Sequence, residues 1–236
     1  MESSATENLD IRVGARLATA IATAIVTVLV FATTLGGATG LHAAESADMR
    51  IGGQIRPSAC TIALSQDAID FGTIPANSLG RDALTTLHAM PFQAVIQCDG
   101  PAVTALEFQD NRAGTEGDDA MSAQTWFGLG EARGRPIGAF QIQRGAGDVV
   151  ADGNGVQTIE LTRSGIWLQM NTSSPEVSAR NGYLLSWSAA GTAPTAFTTV
   201  VVPLAVLPTL LTSQAMAPVA EGIALDGLAT ISLVYL

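Results

Sequence analysis

The sequence predicts an all-β protein, and three observations carry that expectation. The C-terminal stretch Gly222–Leu236 places Ile223, Leu225, Ala229, Ile231, Leu233 and Tyr235 on every second position, interrupted only at Gly227. That is the period of a strand with one buried face. Elsewhere, short apolar runs alternate with Gly, Pro, Asn and Asp at about the spacing of a β-sandwich, and 24 residues are Gly. No long segment repeats apolar residues at helical spacing.

Taken in order, Met49, Ile51 and Ile55 alternate up to Pro57 and make the first candidate strand. Ile62 and Leu64 mark a second, and Ile69–Ile74 a third, before a loop over residues 75–91. Phe92–Cys98 alternates cleanly and Val103–Phe108 follows, with a turn expected at Asp99-Gly100-Pro101. Residues 110–122 are polar and Gly-rich and read as a loop. Thr125–Leu129 and Ile137–Gln143 then form a hairpin across Gly130–Pro136. Val156–Leu161, Ile166–Met170 and Gly182–Ser188 are further strands. Phe197–Leu207 is the longest β-branched run, and Pro203 within it implies an edge, a bulge or a change of sheet partner. Residues 213–220 read as a loop or a helical turn. A final strand over Gly222–Leu236 has no following strand to pair with, so it pairs backwards or lies at an edge that another chain could cover.

The N-terminal part reads as a secretion signal. Arg12 and Arg16 precede an uncharged stretch from Leu17 to His42, and small residues follow. Cleavage is expected after Ala38 or after Ala43. An uncleaved membrane anchor is the weaker alternative, because the stretch is rich in Ala, Thr and Gly. The exported remainder, residues 44–236, reads as one domain. All 11 basic residues are Arg, against 21 acidic ones. The net charge of −10 argues against a nucleic-acid partner or an anionic membrane surface.

Two cysteines remain, Cys60 and Cys98. An even count outside the cytosol reads as one disulfide, worth about 4 kcal/mol through loop-closure entropy. Two unrelated buried thiols, or a metal pair, are weaker readings.

Catalytic chemistry finds little support. There is no Gly-x-Ser-x-Gly elbow, and His88 stands alone in a polar loop. Gly128, Gly130 and Gly134 superficially resemble a phosphate loop but lack the strand-to-helix context. Asp148, Asp152 and Asn154 do not match calcium-loop spacing and read as a solvated turn. Trp126, Trp167 and Trp187 sit among strand residues, which favours core filling over a sugar-stacking platform. The expectation is therefore a protein that is not an enzyme, with no cofactor and no metal.

Several segments, in this order, resemble a family of exported fimbrial-subunit-like proteins of undefined function, the beta-fimbrial subunits. They are Pro57–Thr61, Ile69–Gly72, Ile96–Cys98, Asp110–Thr115, Phe127–Gly130, Ile137–Gly138 and Leu225–Leu236. More widely, the chain is similar to chaperone–usher pilins. These share a first-strand cysteine bonded to one further along, a glycine ahead of the terminal strand and a penultimate tyrosine. Cys60, Cys98, Gly222 and Tyr235 match those positions.

The resemblance implies an incomplete immunoglobulin-like (pilin-type) β-sandwich whose open groove takes a donor strand. Gly222, Ile223, Leu225, Ala229, Ile231, Leu233, Tyr235 and Leu236 would form the groove's terminal-strand wall. Leu41, Ala43, Met49 and Ile51 would supply the chain's own donor extension, which is short if cleavage follows Ala43. The implied partners are a periplasmic pilus chaperone, an outer-membrane usher and neighbouring fimbrial subunits, and the implied location is the periplasm in transit and then the cell surface. The expectation is thus a structural or adhesive subunit of a surface fimbria assembled by donor-strand complementation. The alternative is a self-complete secreted or periplasmic β-sandwich module that binds a carbohydrate or a protein.

Overall fold

The computed structural model describes residues 48–55, 58–118, 121, 124–218 and 222–236. The expected signal segment, with Leu41 and Ala43, lies outside them. The chain divides into a unit Met1–Gly53 and a unit Gln54–Leu236. In the first unit, Met49 and Ile51 are 84% and 91% exposed.

The second unit is all-β among its described residues. Its strands are β1 (Cys60–Leu64), β2 (Thr85–Thr86), β3 (Met90–Ala102), β4 (Thr104–Asp110), β5 (Phe127–Gly128), β6 (Glu131–Ala132) and β7 (Arg135–Pro136). They continue with β8 (Gly138–Arg144), β9 (Val149–Ala151), β10 (Asn154–Leu161), β11 (Trp167–Gln169), β12 (Leu184–Ser188), β13 (Phe197–Leu210) and β14 (Ala229–Tyr235). A single 3-10 turn, Ala76–Ser78, stands between β1 and β2.

One hydrogen-bonded path runs β1-β3-β13-β9-β10-β12-β4-β14, with β8 on β13, β5 on β8, β2 on β13 and β11 on β10. All of these pairs are antiparallel. Alternation sets which residues turn inward: on β3, Phe92, Ala94, Ile96 and Cys98 are buried while Gln93 and Gln97 are exposed. Val200, Val202 and Leu204 of β13 join them, and so do Leu106 and Phe108 of β4 and Trp187 of β12, in one buried cluster. Both ends of the path therefore face a common core, and the hydrophobic effect draws them onto it. Trp187 is fully buried, as core filling requires; Trp126 and Trp167 are half-buried.

Three expectations change. First, Met49–Pro57 forms no strand in its described residues, and Ile55 is fully exposed, because alternation without a sheet to bury against specifies nothing. Second, Ile69–Ile74 joins no ladder, although Ile69, Phe71 and Ile74 are half-buried. Third, β3 continues through Asp99-Gly100-Pro101 and the chain reverses at Val103. The β3–β13 register slips between Phe197 and Thr199, so residues 98–101 bulge away from β13. Pro101, which has no N–H to donate, is tolerated there. The stretch around Asp152 is an exposed turn, as expected. It joins β9 to β10, and the Asp152 carboxylate accepts the Thr198 and Thr199 N–H groups at 2.8 to 3.2 Å.

Pro203 marks a change of partner, as its chemistry requires. Toward one side β13 pairs with β9 through Val200 and Val201, then with β8 from Leu204 onward. Pro203 falls between these two neighbours, where no ladder donor is needed, and its carbonyl accepts the Gly145 N–H.

Candidate functional site: an apolar groove beside the terminal strand

β1 and β14 are the two ends of the hydrogen-bonded path, and they meet at one point. The Cys60 N–H donates to the Tyr235 hydroxyl at 2.7 Å. Cys60 is disulfide-bonded to Cys98, its cross-strand partner on β3. The Leu236 N–H donates to the Val103 carbonyl at 3.0 Å, so the chain's end is tied down beside this junction.

Away from that junction the two ends part around a groove of about 870 Å³. One wall is the terminal segment, lined by Gly222, Ile223, Leu225, Ala229 and Ile231. β14 pairs with β4 along its whole length, from Ala229–Asp110 to Tyr235–Thr104, and its opposite edge has no ladder partner among the described residues. The other wall is residues 66–76, which join no ladder. Here Gln66 Nε2 is anchored to the Pro91 carbonyl at 3.0 Å, and the Gly72 N–H is turned inward onto its own neighbour Asp70 Oδ1 at 2.8 Å. The floor is apolar: Phe92, Leu129, Phe140, Ile142, Val206 and Leu210. Phe140 stacks on Phe127 with ring centroids 5.1 Å apart, which holds its ring in place.

The structure thus brings Gly222, Ile223, Leu225, Ala229 and Ile231 together on the groove, whereas Leu233, Tyr235 and Leu236 lie outside its lining, toward the Cys60 junction. Of the described residues of the expected donor extension, Met49 and Ile51 are exposed. The floor and the 66–76 wall were not legible as a site. The sequence marked Phe92, Phe140, Ile142 and Val206 as strand residues and Ile69–Ile74 as a further strand, but nothing in it placed them around one groove.

Three of the sequence motifs converge at the groove's upper end. In Asp110–Thr115, the Asp110 carboxylate accepts the N–H groups of Arg112 at 2.8 Å and Gly128 at 2.9 Å. Thr115 Oγ1 donates to the Arg112 carbonyl at 2.7 Å and accepts the Gly130 N–H at 3.0 Å. The Asp226 N–H in turn donates to the Leu129 carbonyl at 3.0 Å, and the Asn111 N–H to the Leu228 carbonyl at 3.0 Å.

Glycine makes this stacking of three backbones possible. A Cβ at Gly128 would collide with Thr115 Oγ1 and the Arg112 carbonyl. At Gly227 it would come within 2.9 Å of the Phe140 ring and 3.0 Å of Leu129.

Arg112 completes the arrangement. Its guanidinium holds both Asp226 carboxylate oxygens, at 3.0 and 3.1 Å, and the Asp226 carbonyl at 3.0 Å. The fork geometry of arginine suits such a clamp, and lysine could not reproduce it. Arg112 keeps the Asp226 carboxyl below its usual range, chiefly through those hydrogen bonds. Burial pushes Asp110 the other way, above its usual value, against the two N–H groups that favour its charged form.

His88, expected to be solvated, is exposed and has its ring 5.8 Å from that of Phe71. Among the described residues, no three His, Cys, Asp or Glu side chains gather as a metal site requires. What the arrangement can do chemically is bind: an apolar floor takes side chains and two unladdered edges take main chain.

No curated protein matches the chain. Over residues 49–129, which run from before β1 through β5 and include Asp110–Thr115, the chain is similar to the family described as a protein of unknown function, DUF1120.

Proposed function

We propose that this chain is a structural or adhesive subunit of a surface fimbria, not an enzyme, and that the groove accepts an extended donor strand. The fold would be an immunoglobulin-like, pilin-type sandwich missing one strand. A periplasmic chaperone would supply that strand first, and a neighbouring subunit delivered by an outer-membrane usher would replace it. The observation that carries this reading is the apolar groove between the unpaired edge of β14 and the unladdered segment 66–76. An inserted strand would place alternate side chains on Phe92, Phe140 and Ile142 and pair its backbone with the free edge. Four or five apolar side chains would gain about 1.5–3 kcal/mol each. Ordering ten residues would cost about 1–2 kcal/mol each, so the new main-chain bonds must supply part of the balance. The signal-like N-terminus and the disulfide support an exported location.

The test is coexpression with a cognate periplasmic chaperone, followed by copurification. Ile231→Asp places a charge on the groove wall and is expected to abolish the complex. Leu168→Asp, on exposed β11, is expected to leave it intact. Retention of the complex by Ile231→Asp, or equal loss with both variants while each remains folded by circular dichroism, would sink the groove reading.

A further inference from the structure

The terminal segment changes its support partway along. From Ala229 to Tyr235 it is held by the β4 ladder, but from Gly222 to Leu228 it joins no ladder. That upper half nevertheless supplies Gly222, Ile223 and Leu225 to the groove wall. Its backbone anchors are the Asp226 N–H on the Leu129 carbonyl and the Leu228 carbonyl on the Asn111 N–H. Its third anchor is the Arg112 side chain, whose fork holds the Asp226 carboxylate and whose Nε also donates to the Asp226 carbonyl.

All three anchors come from residues 111, 112 and 129, which Asp110 and Thr115 lock to one another through Gly128 and Gly130. On the far side, Arg135 donates to the Met216 carbonyl at 3.1 Å, and Met216 also lines the groove.

We infer that Arg112 is a positioning residue for strand acceptance. Its clamp on Asp226 holds the upper, unladdered half of the groove wall in register, so that Ile223 and Leu225 face an incoming strand before it arrives. This inference rests on the reading of the groove as a strand acceptor. Binding to a preordered wall avoids the entropy of ordering that wall during association. The ion pair itself is largely solvated, with side chains 33% and 64% exposed, so it adds little to the stability of the folded chain. Its effect falls on the local order of residues 222–228, which no ladder enforces.

The experiment uses the purified chain and a fluorescent synthetic peptide of residues 39–55 of the same sequence. Three quantities are read: peptide dissociation rate, amide hydrogen exchange over 222–228, and the global unfolding midpoint in urea. Arg112→Gln is expected to speed dissociation about threefold, a change of the size an exposed pair supports, and to speed exchange at Ile223–Leu228. The urea midpoint should stay within error. Arg112→Lys, which keeps the charge without the fork, should fall between the two. Arg163→Gln, in the exposed turn before β11, should match the parent. A purely structural role would move the midpoint and leave dissociation in step with it. If the parent binds the peptide and Arg112→Gln releases it at the parent rate, the positioning role is wrong while the groove reading stands. If the parent does not bind the peptide at all, the groove reading falls and the positioning role with it.

Discussion

Replacing Cys60 and Cys98 together by alanine should destabilise the chain by about 4 kcal/mol. The bridge spans a sequence separation of 38. Closing a loop of that size removes about 13 cal/mol/K from the unfolded chain, which is about 4 kcal/mol at room temperature. Burial changes little, since alanine keeps the Cβ of each residue and the removed sulfurs are small. The location adds a second consequence. Among the described residues β1 pairs only with β3, and it begins at Cys60, whose N–H meets the Tyr235 hydroxyl. Losing the bridge should therefore loosen β1 first, with faster amide exchange at Thr61–Leu64 than at the core positions Ile96 and Val202.

The assay is urea unfolding of the parent and the double variant under identical non-reducing conditions, with tryptophan fluorescence and circular dichroism as separate probes. The slope with denaturant must be compared as well, because a bridge in the unfolded state limits the surface that unfolding exposes. A loss below about 1 kcal/mol with parallel slopes would refute the loop-closure argument for this chain. Preserved exchange protection at β1 would refute the claim that the bridge holds that edge.

The remaining predictions concern the core and the polar knot. Trp187 is fully buried with an Nε1 that makes no hydrogen bond among the described residues, so Trp187→Phe should cost clearly less than Trp187→Ala, for which about 3–5 kcal/mol is expected by thermal unfolding. Asp152→Ala removes the acceptor for two β13 N–H groups and should cost about 1–2 kcal/mol, read by chemical denaturation; Asp152→Asn should cost less. The two acids of the knot should give pH profiles of opposite sign. Asp110 has its folded pKa raised by burial above the ordinary 3.8, so its stabilising contribution is full below that value and is lost as pH rises through the raised pKa. Asp226 has its folded pKa lowered by Arg112, so its contribution is present above 3.8 and is lost as pH falls through the lowered pKa. Unfolding midpoints of Asp110→Asn and Asp226→Asn between pH 2 and pH 6, on the scale set by ordinary carboxyl titration, should therefore diverge from the parent in opposite directions; parallel curves would contradict the assignment. Gly128→Ala must displace both Thr115 and the Arg112 carbonyl, so it should disorder residues 110–116 in exchange measurements.

Strands whose alternation is backed by a neighbour were legible in the chain. Phe92–Cys98, Phe197–Leu207 and the half of the terminal segment from Ala229 onward all form ladders, because period-two burial and sheet pairing demand the same residues. Met49–Ile55 and Ile69–Ile74 show the limit. Alternation says which side chains prefer burial, but not whether a backbone partner exists, and at Ile69–Ile74 the side chains sink toward the core while the main chain stays unladdered. One wall of the groove was visible for the same reason that the other was not. The contacts of Asp110–Thr115 with Gly128 and Gly130 span 18 and 15 positions, but that of Arg112 with Asp226 spans 114. Local pattern carries no information at that distance.

The open path of strands has a topological consequence. The two ends of the path already touch where the Cys60 N–H meets the Tyr235 hydroxyl. A single strand that paired with both ends would remove both exposed edges in one step, and half an insertion would remove neither. Occupancy in such a geometry is close to all-or-none. On the strand-acceptor reading proposed above, the event that fills the groove would also end its capacity to recruit stray strands, so solubility and assembly would rise and fall together.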